Sequence, residues 1–362
     1  MDPPRCSEAK TCFTALRNRC RRGRISAPLP FSAVKKTIAV IAILLVALII
    51  SLLHRMPGED TRSAKVFLMD TFVELLAEGS RNQTEKAFKE AIRELKRLDT
   101  RLGYENSLID ELNRSRTLKD REVHRLVRIS KEIHASSSGG FSITLRPILD
   151  AWGFTGLHPH RLPTESEFAA WKSLPSDEAV SLSPDGVTIE IPKGLQIDLG
   201  GIAKGYAADR AAEAMKKSGI ESGLVNAGGD ITAFGERTWK VGIKHPRGPG
   251  VFTTIPVRNR SVATSGDYER FFVQNGIRYS HILDPATGQP ARVLSSATII
   301  ADTGTDADAW ATALFVKGPQ ALKGELEKRG MDWIAVDLEG NITTSGPMRE
   351  FCPEKLPEPR KN

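Results

Sequence analysis

The chain has 362 residues, of which 40% are hydrophobic, and carries a formal charge of +7. Its length exceeds a typical domain of roughly 100–200 residues, so a body with a sizeable core and an enzyme-sized cleft is expected. Residues 1–36 hold nine Lys or Arg against Asp2 and Glu8, which leaves 42 basic and 42 acidic residues downstream. A neutral body lacks the clustered basic face that binding to a phosphate backbone needs, which argues against nucleic acid as a partner.

The basic arm, residues 1–36, leads into seventeen uncharged residues, 37–53, TIAVIAILLVALIISLL. At about 1.5 Å per residue this run covers roughly 25 Å of a hydrocarbon core of about 30 Å, and the flanking Lys35, Lys36, His54 and Arg55 can snorkel to complete the span. A buried core helix would show a polar stripe, but only Thr37 and Ser51 are polar here. One transmembrane helix is therefore expected, with the arm in the cytoplasm and the body on the periplasmic or extracytoplasmic side of the inner membrane. No small-x-small site or lipobox cysteine follows the run, which favours an uncleaved anchor over a signal peptide. Cys6, Cys12 and Cys20 lie in the arm and Cys352 stands alone in the body, so the body relies on its core and not on a disulfide.

Residues 54–64 read as a juxtamembrane linker. Beyond it, 66–76 reads as a strand, and 84–102 as an amphipathic helix with Phe88, Ile92, Leu95, Leu98 and Leu102 on one face. A second helix covers 123–137. Strands are predicted at 188–191 and 195–198, then a helix at 206–218 ended by Gly219. Further strands fall at 223–226, 239–243, 261–264, 279–283 and 296–300, helices at 307–315 and 319–329, and a last strand at 333–337. Without strict βαβ alternation, the body at 65–349 is expected to be α+β (mixed α/β), with mixed sheets and flanking helices. The tail, 350–362, is charged and proline-rich and is expected to be flexible.

The densest chemical signal is QIDLGGIAKGYAAD, residues 196–209. A strand ends in Asp198, glycines follow, and Lys204 opens a helix whose free N–H groups suit an anion such as a phosphate; a tight turn packed for steric reasons is the alternative. In TDADAWAT, residues 305–312, Asp308 and Thr312 stand at i and i+4 and project from one helix face. An anionic and a neutral oxygen there suit a hard cation such as Mg²⁺. The competing role is that Asp306 and Asp308 cap the helix and complement its dipole. LVNAGGDITAFG and SHILDPATGQP each put polar groups beside glycine or proline at a strand end, where loops usually carry function. His281 fits a base or ligand contact, or a histidine simply bonded in place.

Met69 and Thr71, the run RLGYENSLIDELN with Tyr104 and Asn113, PILDAWGF, QIDLGGIAKGYAAD, LVNAGGDI, ATSGDY, SHILDPATG and DADAWATAL follow one another in this order. In that order and approximate spacing they resemble the ApbE-type FAD:protein FMN transferases, over about residues 66–336. The resemblance implies a two-lobed body with the ligand cleft between the lobes. It also implies Mg²⁺-dependent transfer of FMN from FAD to a threonine or serine of an acceptor protein, a membrane redox subunit, with release of AMP. Carried over, the metal takes the Gly201 carbonyl, Asp308 and Thr312. FAD meets Met69, Tyr104, Gly140, Phe141, Ser142, Asp198, Lys204 and the neighbourhood of His281. Lys204 adds positive charge, and the acceptor's proton goes to an aspartate, Asp284, or to His281; the sequence does not choose. Two departures touch the flavin contacts: Ser142 where the family usually has aspartate, and Asp70 where glycine is common. The rival readings are an FAD pyrophosphatase that uses water as acceptor, and a non-catalytic membrane-anchored flavin-binding protein.

Overall fold

In a computed structural model, residues 61–103, 106–155 and 159–358 are described. The expected arm, anchor and most of the linker lie outside the described residues, as do Tyr104, His158 and residues 359–362. Among the described residues no helix is long and apolar enough to cross a membrane.

The single strand expected at 66–76 is a hairpin, β1 (Thr61–Leu68) and β2 (Thr71–Glu78), with Leu68 paired to Thr71. Its two-residue turn puts Met69 and Asp70 at φ +54° and +57°. Positive φ at both positions suits a type I′ turn, whose twist matches the hairpin. Aspartate tolerates this region; methionine does so at a cost of roughly 1–3 kcal/mol. The frequency of glycine at position 70 among similar sequences thus has a backbone cause, and Asp70 satisfies it. The strand also begins inside the predicted linker, at Thr61.

After the hairpin come helices α1 (Arg81–Leu102) and α2 (Leu108–Ser115), strand β3 (Thr117–Lys119), then α3 (Arg121–Ser136), α4 (Arg146–Trp152) and α5 (Glu165–Lys172). The short strands β4 (Ser181–Leu182) and β5 (Thr188–Glu190) pair with β3 in a small sheet. Helix α6 (Ala203–Lys217) is followed by β6 (Gly223–Ala227), β7 (Asp230–Phe234), β8 (Trp239–Lys244), β9 (Val251–Val257) and β10 (Ser261–Gly266). Next are β11 (Phe271–Gln274), β12 (Ile277–Ser280) and β13 (Ser296–Ala301). Then come α7 (Gly304–Lys317), α8 (Pro319–Lys328), β14 (Asp332–Val336) and β15 (Ile342–Thr344).

The main sheet has eight strands in the order β1-β2-β6-β7-β10-β13-β14-β15, and its neighbours pair antiparallel. With helices packed on an antiparallel sheet, the class is α+β. One face carries α6 and α7. Ala207, Ala208, Ala211 and Ala212 on α6 are all at most 1% exposed, and these small side chains let the helix lie close to its neighbours. The other face is covered by the β8–β9 hairpin, whose Trp239, Val241, Ile255 and Val257 pack on Ile231, Val262 and Ile300. The body is a single compact unit, so the two-lobed division is not seen in the chain contacts. The tail is also held further than its composition suggests: the Leu356 N–H donates to the Gly340 carbonyl at 2.8 Å, and Lys355 bridges Asn341.

Residues 195–198 form no strand. Leu195, Ile197 and Leu199 are buried in alternation, which mimics a strand. Their backbone is bonded elsewhere: Asp198 N–H donates to the Ile143 carbonyl and Ile197 N–H to Asn113 Oδ1, each at 2.7 Å.

Candidate active site

The site begins where two helix starts meet. Helices α6 and α7 touch at Gly205 and Gly304, and a Cβ on Gly205 would lie 2.0 Å from the Gly304 carbonyl oxygen. Only glycine allows this approach, and the approach lets each helix cap the other. Asp209 of α6 accepts from the Gly304 and Thr305 N–H groups at 2.6 and 2.9 Å. Asp308 of α7 accepts from the Gly205 N–H at 3.0 Å. Each carboxylate therefore satisfies orphan donors and complements the positive end of its neighbour. The cap of α7 itself is Thr303, whose hydroxyl accepts from the Asp306 N–H at 3.1 Å. The capping alternative weighed for Asp306 and Asp308 is thus corrected: Asp306 closes on Thr303, and Asp308 caps the other helix.

Lys204, in the first turn of α6, pairs with Asp230 at the start of β7 and lies 3.6 Å from Asp308 Oδ1. Burial pulls the ammonium pKa down, but Asp230 and Asp308 more than offset that and hold it above its ordinary value. Asp230 is 3% exposed, and burial, seconded by the Asp308 charge, pushes its carboxyl up to about 7 against the pull of Lys204.

These groups line a cavity of about 540 Å³, a volume within the range of small-molecule sites. Met69, Gly140, Phe141, Ser142 and Asp198 line it as expected, and so do Gly201, Lys204, His281, Asp308 and Thr312. A second chamber of about 450 Å³ shares Met69, Asp198, Lys204 and Arg270 with the first. A larger groove, about 740 Å³, lies between β1 and α1 and contains none of these residues.

The donor set at Gly201, Asp308 and Thr312 fits a magnesium ion. It offers oxygen ligands and one carboxylate, as such a site requires. A Cβ on Gly201 would sit 3.0 Å from Phe141 Cε2 and 3.5 Å from Thr312 Oγ1, so the cradle stays open because residue 201 has no side chain. Thr312 Oγ1 is otherwise 3.3 Å from Ser265 Oγ.

His281 Nδ1 lies 3.1 Å from the Arg270 carbonyl. A carbonyl only accepts, so Nδ1 carries the proton and Nε2 keeps its lone pair. Burial, and then the Arg270 charge, depress the imidazole pKa to about 3, which keeps the ring neutral near pH 7. Asp198 Oδ1 accepts from the Gly200 N–H at 2.7 Å, and burial raises its pKa against that bond. Ser142 donates to Asp177 Oδ2 at 2.5 Å, and Asp177, 1% exposed, also accepts from the Ile143 N–H and the Thr144 hydroxyl. The residue 142 position thus borrows a carboxylate from a distant turn.

Asp284 is the correction among the site residues. Its carboxylate accepts from the Ala286 N–H at 2.9 Å and the Thr287 hydroxyl at 3.4 Å, and it does not line the cavity. It shapes the turn that follows His281. Two residues that sequence reasoning left out of the site are Asp230 and Arg270, which both line the cavity. Asp230 was within reach, as the acid of the LVNAGGDI motif; Arg270 follows no sequence signal.

The ApbE family model matches residues 69–335. A protein of Klebsiella pneumoniae named FAD:protein FMN transferase is 33% identical over 239 residues, covering 64% of this chain and 75% of that protein. Its Escherichia coli namesake is 31% identical over 227 residues, covering 60% of this chain and 65% of its own length, just under two-thirds. Among solved structures, the ApbE protein of Thermotoga maritima aligns with a TM-score of 0.76 at 32% identity, covering 82% of this chain and all of that one. The flavinyl transferase ApbE of Pseudomonas stutzeri aligns at 0.70 with 28% identity, over 80% of this chain and 96% of that chain.

Proposed function

The chain belongs to the ApbE family, and from that premise we propose that it transfers FMN from FAD to a hydroxyl of an acceptor protein. The acceptor oxygen bonds to the FMN-side phosphorus, the diphosphate bridge breaks, and AMP leaves with the bridging oxygen. The observation that carries the reading is the reciprocal capping of α6 and α7, which gathers Lys204, Asp230, Asp308 and Thr312 on one cavity.

Gly201, Asp308 and Thr312 are the residues that would hold Mg²⁺, which when bound neutralises diphosphate charge and favours departure of AMP. Lys204 adds a fixed positive charge beside that position, and Asp230 holds the ammonium in place. The unprotonated Nε2 of His281 accepts the proton of the attacking threonine or serine hydroxyl; the Nδ1–H bond to Arg270 that fixes the tautomer supports this choice over Asp284. Phe141, 2% exposed, offers an apolar wall for the flavin.

The basic arm and the run at 37–53 support anchoring in the inner membrane with the body on the periplasmic or extracytoplasmic side, and there the acceptor is a membrane redox subunit. A periplasmic-type reporter fused after Asn362 is then active, and one fused before Arg17 silent; the reverse pattern overturns this topology. Incubating the full chain with FAD, Mg²⁺ and candidate acceptor subunits should give an acceptor band with in-gel flavin fluorescence. Release of free FMN and AMP alone identifies a pyrophosphatase, and FAD bound but unchanged identifies a flavin-binding protein.

A further inference from the structure

Behind the residue assigned the proton lies a second cavity. At the end of β12, Ser280 and His281 are chain neighbours, and successive side chains of extended backbone leave opposite faces. His281 lines the catalytic cavity, whereas Ser280 lines a separate one of about 370 Å³ with Arg247, Arg278 and Arg292. Asp267 is the one carboxylate in that lining, and it is already shared. Arg247 forks onto its two oxygens at 2.5 and 2.7 Å, and Arg278 Nη1 reaches Oδ1 at 3.3 Å. The Arg292 guanidinium lies 5.6 Å from the Tyr279 ring centroid, with no carboxylate ion pair among the described residues. Three guanidinium groups facing one carboxylate leave two positive charges uncompensated. Ser280 is 2% exposed, and its hydroxyl has no hydrogen-bond partner among the described residues. Buried polar groups are normally partnered, so this hydroxyl marks a donor awaiting an acceptor.

Two spare positive charges, planar guanidinium donors and a free hydroxyl match a ligand with two negative charges and at least three acceptor oxygens. We propose that this cavity is a phosphate-dianion site, taking free phosphate or the phosphate of a monoester, on the opposite side of the chain from the catalytic face of His281. The site stands on its own residues and does not depend on the transfer reading. A carboxylate, with one charge and two oxygens, leaves the ring half neutralised and binds more weakly.

The test is isothermal titration of the full chain in detergent, without Mg²⁺ and with FAD present to block the catalytic cleft. Inorganic phosphate, AMP and acetate are titrated separately into the wild type, Arg292→Gln and Arg278→Gln. Arg247 is left intact because its fork onto Asp267 holds the loop. The expected result is one equivalent of phosphate in the wild type, weakened at least about tenfold by either substitution, with FAD affinity unchanged. Acetate should bind more weakly than phosphate. AMP binding as tightly as phosphate, and equally sensitive to Arg292→Gln, identifies a monoester as ligand; binding of phosphate alone identifies the free ion. Absence of phosphate binding up to about 10 mM overturns the site. So does binding that ignores both substitutions, or that disappears on adding FAD, which would belong to the catalytic cleft.

Discussion

Replacing Asp308 by asparagine or by alanine separates its two roles. Its Oδ2 accepts from the Gly205 N–H at 3.0 Å within a residue only 4% exposed. Alanine leaves that buried donor unsatisfied, at a cost of roughly 1–3 kcal/mol. For a body of this size each kcal/mol lowers Tm by about 2–4 °C, so Asp308→Ala should melt several degrees early. Asparagine keeps an acceptor oxygen of nearly the same reach, and its stability should stay within about 1 kcal/mol of the parent. Its catalytic effect is different, because the lost charge is the single anionic oxygen offered to the metal. A hundredfold fall in transfer corresponds to about 2.7 kcal/mol of transition-state stabilisation, less than the several kcal/mol a metal's charge can supply. Asp308→Asn should therefore fold normally and transfer FMN at least about a hundredfold more slowly at ordinary magnesium, recovering partly as magnesium rises. The assay is covalent flavin on the acceptor across a magnesium titration, with thermal unfolding as control. Full activity of Asp308→Asn at ordinary magnesium would refute the ligand role and leave only the cap.

The contact between Gly205 and Gly304 makes Gly205→Ala a test of the helix crossing: the inserted methyl, 2.0 Å from a carbonyl oxygen, must push α6 and α7 apart. A loss of about 1–3 kcal/mol or more is expected in urea unfolding, and an unchanged midpoint would show that the crossing yields freely. His281 has a pKa depressed to about 3, so its stabilising contribution is present above the unfolded value near 6.5 and is lost as pH falls towards 3. Comparing urea midpoints at pH 7 and pH 4, His281→Gln should lose less stability on acidification than the parent; identical acid limbs contradict the buried neutral ring. Asp284→Asn retains an oxygen for the Ala286 N–H and should transfer FMN at close to the parental rate, whereas a loss of orders of magnitude would restore Asp284 to the chemistry.

The sequence alone determined whatever depends on near neighbours in the chain. The helical stripe of Phe88, Leu95, Leu98 and Leu102 was legible because its period is local, and α1 extends it by only one turn at the start. The end of α6 was legible because Gly219, at φ +90°, is the residue type that leaves a helix without strain. The spacing of Asp308 and Thr312 fixed which oxygens share a helix face. The hairpin at Met69 and Asp70 was hidden because neither turn residue is glycine, and the apparent strand at 195–198 misled because buried alternation does not require a ladder partner. Strand β7, whose five residues are all buried, offered no alternation to read. Only the tertiary structure decided what the charges do. Lys204 and Asp230 are 26 residues apart, and Gly205 and Asp308 are 103 apart. No local pattern encodes such pairs: a carboxylate's role as helix cap, ion-pair partner or turn former is set by which donor the packed chain delivers to it. Asp308 and Asp284 look alike in sequence, and the fold turns one to a neighbouring helix and the other back on its own loop.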